Sequence, residues 1–503
     1  MIILKDVTKT YKDKAVLDEA ELSVNPQEII GLVGKNGAGK TTLMRIILGE
    51  IKPDSGTVQT SDEIVGYLPQ HSDFGEQTVQ EFLQSKLPAE HLGWKIDKNL
   101  DLVGLKGIDV QKNANSLSGG QKTRLGLAAL LLAEPEPTVL LLDEPTNNLD
   151  AEGLKWLRSF IKQFRGSVLL TSHDRGFLDE SVNRIVELDN GKAKNYGGNY
   201  SFYREQKQLE YQSQLDKCEK SQLEQKKLKR TIVAQKEKAR HVQSNFKQKD
   251  NDKFAKAFFK NRVTVKLDKQ ASALESRLEQ LDDVERPMQR KSYKVELEGS
   301  VPSSKMILKV ESLSKSFDGH IVLSDLSFEV YGGERVWVSG VNGSGKSTLL
   351  KIAAGIESPD SGSVQLGNNL EFGYFSQEAT GLNLSETGIA DLLSTGAKPQ
   401  VCFEQAKSLH ITEQDLKKPL SELSRGQIAK VAFAKLLLGQ NQLLILDEPT
   451  NHLEIETREE IEAALSEYKG AIVVASHDKY FLDAIGVTKE LSVIDGKTFG
   501  VTS

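Results

Sequence analysis

Two stretches of this chain place glycine, lysine and a hydroxyl at the spacing needed to hold a polyphosphate. Gly34 to Thr41 reads Gly-Lys-Asn-Gly-Ala-Gly-Lys-Thr, and Gly340 to Ser347 reads Gly-Val-Asn-Gly-Ser-Gly-Lys-Ser. In such a P-loop, successive backbone N–H groups converge on phosphate oxygens at a positively polarised helix N-terminus, which only a glycine-rich backbone permits. The ATP-binding residues of the first stretch are then Gly34, Asn36, Gly37, Gly39, Lys40, Thr41 and Thr42. Those of the second are Gly340, Asn342, Gly343, Gly345, Lys346, Ser347 and Thr348. Lys40 and Lys346 reach the β- and γ-phosphates, while Thr41 and Ser347 hold Mg²⁺. Further on, an apolar run ends in Asp143-Glu144 and its counterpart in Asp447-Glu448, each followed by Pro-Thr-Asn. The aspartate suits Mg²⁺ and the glutamate suits polarising the attacking water.

These residues need a buried strand leading into each glycine loop, a helix leaving it, and a second buried strand carrying the acids. Gln27-Glu-Ile-Ile-Gly-Leu-Val and Thr138-Val-Leu-Leu-Leu supply the two strands of the first half. Lys40 and Lys346, Asp143 and Asp447, and His173 and His477 are separated by 306, 304 and 304 residues. Offsets this constant indicate a duplicated domain.

The 503 residues favour two to four domains rather than one compact unit. A hydrophobic content of 38%, a mean hydropathy of −0.38 and the lack of a bilayer-length apolar run predict a soluble chain. Met1-Ile-Ile-Leu-Lys reads as a strand entering a domain rather than a signal peptide. The distant Cys218 and Cys402 offer neither a disulfide framework nor metal-ligand spacing. A cytoplasmic protein is expected.

Between Gly198 and Pro287 there is neither glycine nor proline. This stretch predicts two long helices folded into a hairpin, the first from Tyr200 to about Arg240, a rod of about 60 Å. Leu267, Ala271, Leu274, Leu278 and Leu281 alternate steps of four and three, the seam of a helix pair. Tyr211, Leu215 and Cys218 face that seam, whereas Gln222 and Gln225 are polar, so pairing should loosen toward the tip at about 241–262. From Lys220 to Lys269, 16 Lys and Arg stand against 5 Asp and Glu, an excess of eleven positive charges that leaves −17 on the remainder of a chain with net charge −6. A one-signed basic element on an acidic body is the footprint of phosphate-backbone binding. Lys247, Lys249, Lys253 and Lys256 are candidate RNA contacts, with Tyr200, Tyr203, Phe246, Phe254, Phe258 and Phe259 available for stacking or for packing.

Leu117-Ser-Gly-Gly-Gln lies between the first P-loop and its acids, as in ATP-binding cassette proteins, which the chain resembles. The resemblance implies that Ser118, Gly119, Gly120 and Gln121 cap the nucleotide of the opposite cassette. It makes Tyr11 and Phe317 adenine-stacking aromatics, Gln70 and Gln377 metal ligands and water sensors, Asp150 a cassette-contacting residue, and His173 and His477 γ-phosphate switches. In the second half the signature is Leu423-Ser-Arg-Gly-Gln, so Ser424, Arg425, Gly426 and Gln427 take these places and Arg425 departs from glycine. An arginine there either adds positive charge near the γ-phosphate or crowds the loop. Glu454 replaces Asp150. If the cassettes close head to tail, Arg425 faces the nucleotide on Lys40, and Ser118 and Gly119 face that on Lys346. The two sites are then chemically unequal.

Two cassettes, a basic linker, paired Leu-Asp-Glu-Pro-Thr-Asn motifs and the linker entry Tyr196-Gly-Gly-Asn-Tyr-Ser-Phe-Tyr resemble the ABC-F family of ribosome-associated ATPases over the whole chain. The fold implied is α/β: two tandem P-loop nucleotide-binding domains, 1–198 and 304–503, joined by a long α-helical hairpin at 199–303. Partners implied are the 70S ribosome at its tRNA exit site, ribosomal RNA and the P-site tRNA, approached by a monomer whose own cassettes pair. Gln70 to Leu117 and Gln377 to Leu423 span 47 and 46 residues, so the first cassette lacks the arm insertion of housekeeping members. What remains resembles the antibiotic-resistance branch. Alternatives are a housekeeping translation factor, a transporter's energising subunit, which would leave the basic hairpin unused, and a DNA-repair ATPase.

Overall fold

The computed structural model describes residues 1–502 except 13, 71–72, 88–92, 148, 246–264, 267–268, 271, 275, 278–301, 342, 377–381, 452 and 495–496. Met1–Tyr203 with Lys291–Ser503 forms one compact unit, and Arg204–Arg290 a second. Asn342, Gln377, the four candidate RNA-contacting lysines and the four phenylalanines lie outside the described residues.

In the first repeat, strands β1 (Ile2–Tyr11), β2 (Lys14–Val24) and β4 (Ser55–Gln59) form a small antiparallel sheet in the order β2-β1-β4. Strands β3 (Ile29–Val33), β5 (Val65–Leu68), β6 (Val139–Leu142), β7 (Ser167–Thr171), β8 (Arg184–Asp189) and β9 (Lys192–Gly197) make a six-stranded sheet ordered β5-β6-β7-β3-β8-β9, parallel except for β9. Strands covered on both faces read as continuous apolar runs rather than alternating ones. Val139-Leu-Leu-Leu is buried at every position, as are all five residues of β7. Registers such as Leu141 opposite Leu169 and Gly31 opposite Leu170 bring β3, β7 and β6 side by side, so the loops leaving their C-terminal ends converge.

The second repeat has the same plan, in both its three-stranded and its six-stranded sheet. There β10 (Met306–Phe317), β11 (His320–Tyr331) and β13 (Ser361–Leu366) form the small sheet. The central strands are β12 (Arg335–Ser339), β15 (Leu443–Asp447) and β16 (Ala471–Ala475), flanked by β14 (Phe372–Phe375), β17 (Lys489–Ile494) and β18 (Lys497–Thr502). Separate apolar clusters fill the two faces of each large sheet. The molecule is thus two tandem α/β nucleotide-binding cassettes with a helical insertion between them.

In the second unit one helix, Tyr200–Asn245, runs on from the first repeat. From Tyr211 onward its shielded positions are Tyr211, Leu215, Cys218, Ser221, Gln225, Leu228, Ile232 and Gln235, at steps of three and four. Burial continues past Cys218 to Ile232, 7% exposed, while the side chains of the tip at about 241–262, where looser pairing is expected, lie outside the described residues. Gln225 is only half-buried, and an ion pair of Arg277 with Glu224, 3.1 Å apart, lies next to it. Tyr200 and Tyr203 belong to the first repeat. Tyr200 is buried in its core, and the Tyr203 hydroxyl donates to Glu187 at 2.8 Å while its ring meets Tyr196 edge-on. They pack the cassette and do not stack on bases.

Candidate nucleotide sites

The first glycine loop leaves β3 and enters the helix α1 (Lys40–Ile47) with Gly39 as N-cap in the left-handed region, φ 103°. Any side chain there would strain the backbone and lie 2.7 Å from Val16. Gly34 is required for a different reason, because a Cβ would come within 2.4 Å of the Leu188 carbonyl oxygen. Inside the loop Lys40 Nζ donates to the carbonyls of Gly34 and Lys35, at 2.6 and 3.2 Å. Lys346 repeats this with Gly340 and Val341 at 2.7 and 3.0 Å. Gly37 and Gly343, at the crowns of the loops, have open space around them. Burial lowers the pKa of both lysines, against which nearby Glu144 and Glu448 pull.

The acids sit where the strands bring them. Thr41 donates to Asp143 at 2.7 Å, and Ser347 to Asp447 at 3.0 Å. Asp143 accepts a further bond from Thr171 at the end of β7. Among the described residues no cluster of three His, Cys, Asp or Glu could cage a metal. One carboxylate with one hydroxyl fits Mg²⁺, a cation that keeps waters and takes the rest of its shell from substrate phosphates. Thr41 with Asp143, and Ser347 with Asp447, would hold it, and it would supply charge neutralisation for phosphoryl transfer.

Glu144 and Glu448 follow with positive φ, 51° and 47°. Such backbone is uncommon outside glycine, so each glutamate carries local strain at the end of its strand. Glu144 Oε2 accepts from the His173 N–H at 3.2 Å. Its Oε1 lies 3.3 Å from His173 Nε2 without a hydrogen bond, so that oxygen can take a proton from water. His477 Nε2 lies 3.5 Å from Glu448. Burial pushes both carboxyls up, to about 7, and pushes His477 down to about 4 with Lys346 adding to the effect. The Glu144 backbone N–H is held by the Thr171 hydroxyl, whereas that of Glu448 is held by the Ala475 carbonyl.

A cavity of about 950 Å³ is lined by Ser118, Gly119, Gly120 and Gln121 of the first cassette together with Gly343, Gly345, Lys346, Ser347, Thr348, Glu448 and His477 of the second. A smaller one, about 210 Å³, joins Gln70, Asp143 and Glu144 to Gly119 and Asn147. Ser118 and Ser424 each N-cap the following helix, α4 (Gly119–Leu132) in the first case, through a reciprocal capping box with Gln121 and Gln427. Gly426 lies in the first turn of the second of these helices, and Arg425 is exposed at its first position. Tyr11 and Phe317 are half-exposed at the ends of β1 and β10, each with a lysine against its ring. Thr42 and Thr348 are the third residues of their helices.

Asp150 caps its own helix, α5 (Ala151–Gln163), through Gly153 N–H at 2.8 Å. Glu454 makes no such cap and accepts instead from the Asn36 backbone N–H of the first P-loop, at 3.0 Å. The longer side chain thus turns a local cap into a contact between cassettes. Sequence reasoning missed a charged cluster beside it: Arg175, Arg458, Glu462 and Asp478 are nearly buried between the cassettes. Arg175, directly after the Ser-His-Asp motif, was the signal that could have found it, since a guanidinium on a buried loop needs partners.

Tandem P-loops facing an opposed signature, with strained glutamates behind the metal-site aspartates, define an ATP-hydrolysing cassette pair. The family described as ABC transporter matches residues 17–147 and 323–451, and another of the same description matches 186–297. The energy-dependent translational throttle protein EttA of Mycobacterium tuberculosis is 31% identical over 95% of this chain and 89% of its own. The ribosome protection protein VmlR of Bacillus subtilis is 31% identical over 96% and 85%. The structure of an archaeal ribosome recycling factor, aABCE1, in complex with the stalk protein aP1 superposes with a TM-score of 0.65 at 19% identity over 98% of this chain and 89% of that one, which establishes likeness of fold. The chain belongs to the ABC-F family of ATP-binding cassette proteins and is an ATPase. No described helix is long and apolar enough to cross a membrane.

Proposed function

We propose that this protein binds the 70S ribosome at the tRNA exit site with both cassettes closed on ATP and Mg²⁺, in the cytoplasm, as a monomer. Its basic helical segment contacts ribosomal RNA and the P-site tRNA, and it protects translation from antibiotics acting near the peptidyl-transferase centre. The observation that carries this reading is the excess of eleven positive charges over 220–269, a segment within or beside a helical unit distinct from the cassettes. Similarity to a ribosome protection protein, and the nearly equal spacing of the two cassettes between glutamine and signature, support the resistance branch. Equal identity to a translational throttle protein favours a second reading, a housekeeping factor that gates translation. In either case Glu144 and Glu448 polarise water, His173 and His477 sense the γ-phosphate, and the domains divide at 198 and 304.

Sedimentation with 70S ribosomes tests the proposal. Binding should need ATP or a non-hydrolysable analogue, and E144Q/E448Q should accumulate on ribosomes with ATP because an amide keeps the shape and orients water poorly. Release of the double variant at the wild-type rate would remove the assigned roles. Replacing Lys247, Lys249, Lys253 and Lys256 by Gln should flatten the log–log salt dependence of binding by up to about three units, at roughly −0.7 to −0.9 per phosphate contact. Protection from a peptidyl-transferase inhibitor in a translation assay should be lost with it. A variant that keeps full protection points to the housekeeping reading or to the cassettes.

A further inference from the structure

The contact between the cassettes is lopsided. Asp150 and Glu454 precede equivalent helices of 13 residues, α5 and Ile455–Glu467. The fourth residue of the first is Leu154 and that of the second is Arg458, 8% exposed. Arg458 Nε donates to the Leu453 carbonyl of its own cassette at 3.0 Å. Its Nη1 donates across the interface to the His173 carbonyl at 2.9 Å and lies 3.4 Å from Asp478. Asp478 is also 3.6 Å from Arg175 of the first cassette, which pairs bidentately with Glu462 and lies over the Tyr480 ring. These contacts are not mirrored among the described residues. The residue equivalent to Arg175 is Lys479, which is exposed, and the residue equivalent to Glu462 is Arg158, which pairs with Glu180 inside its own cassette.

Two nearly buried guanidinium groups between carboxylates are costly to desolvate, so their geometry holds only while the partners from both cassettes are in place. The carbonyl that Arg458 holds belongs to the residue whose N–H holds Glu144 at 3.2 Å. A shift of the His173 backbone carries its N–H along and moves the glutamate. We propose that Arg458 is a positioning residue acting across the interface: by clamping the His173 carbonyl it makes the site built on Lys40 and Glu144 competent only in the closed pair, while for the site built on Lys346 and Glu448 the equivalent position carries Leu154, whose side chain has no donor to offer. The second cassette therefore licenses hydrolysis in the first, and not the reverse.

The inference rests on Glu144 and Glu448 being the water-polarising groups, so the test begins with E144Q/E448Q, which must abolish hydrolysis. Turnover persisting in that variant would overturn the carboxylate assignment itself. Single-turnover ATP hydrolysis by the full chain is then measured for R458K and R458L in E448Q, where only the first site is active, and in E144Q, where only the second is. Leu is what the first cassette carries at this position. In E448Q both substitutions should lower the rate constant at least tenfold with ATP affinity changed less than twofold, a loss confined to the chemical step. In E144Q the rate should change less than twofold. R458K keeps the charge in the cluster but lacks the guanidinium fork whose Nε and Nη1 reach the Leu453 and His173 carbonyls separately, so it separates clamping from charge balance, and it serves where R458L does not fold. Equal losses in both backgrounds, a change in affinity alone, or wild-type rates for R458K would each overturn the proposal.

Discussion

Glu144 and Glu448 show how much one residue depends on its surroundings. Burial raises their carboxyls from 4.5 to about 7, so each binds its proton more tightly in the folded than in the unfolded chain. The stability this contributes is complete below the unfolded value and is lost as pH rises through about 7. E144Q/E448Q, with amides standing in for the protonated acids, should therefore melt a few degrees above wild type at pH 8 without nucleotide, the gap narrowing toward pH 5.5. Differential scanning fluorimetry across that range checks it, and a gap independent of pH would show that the two carboxylates are not the titrating groups.

At the scale of elements, the signature helix α4 serves both the fold and the site. Its capping box satisfies two orphan N–H groups, and the same Ser118 lines the cavity shared with Lys346. S118A should cost about 1 kcal/mol of stability, the usual loss for an N-cap serine, read from the denaturant midpoint. Hydrolysis should fall at the Glu448 site, measured in E144Q, and stay near the parent rate at the Glu144 site, measured in E448Q. Equal losses would mean that Ser118 acts only as a cap.

Over the whole molecule, duplication gave two sites of one design, and substitutions at the interface made them unequal. Glu454 for Asp150 falls where the cassettes meet, Ala475 for Thr171 where the glutamate is held, and Arg425 stands in the second signature where the first has Gly119. Removing the arginine tests one of these differences directly. R425G should alter single-turnover hydrolysis at the Lys40 site, in E448Q, and leave the Lys346 site in E144Q within about twofold. An effect on the Lys346 site alone would show that Arg425 serves the opposite nucleotide from the one assigned.

The duplicated cassettes, the P-loops, the acids and the separate helical segment were legible in the sequence because each depends on local rules. Glycine spacing, a strand's apolar run and a sustained heptad hold whatever the chain packs against. The burial that continues past Ser221 and Gln225 to Ile232 was not legible, since pairing with a neighbouring helix overrides the polarity of single positions. Nor was the fate of Tyr200 and Tyr203, whose hydroxyl and ring partners, Glu187 and Tyr196, come from strands β8 and β9. The sequence by itself determined that this chain is a twin-cassette ATPase and where its two glycine loops and their acids lie. Tertiary structure alone decided that Glu454 reaches Asn36 and that Arg458 holds the peptide of His173, because those contacts join residues 418 and 285 positions apart, a separation over which no periodicity carries information.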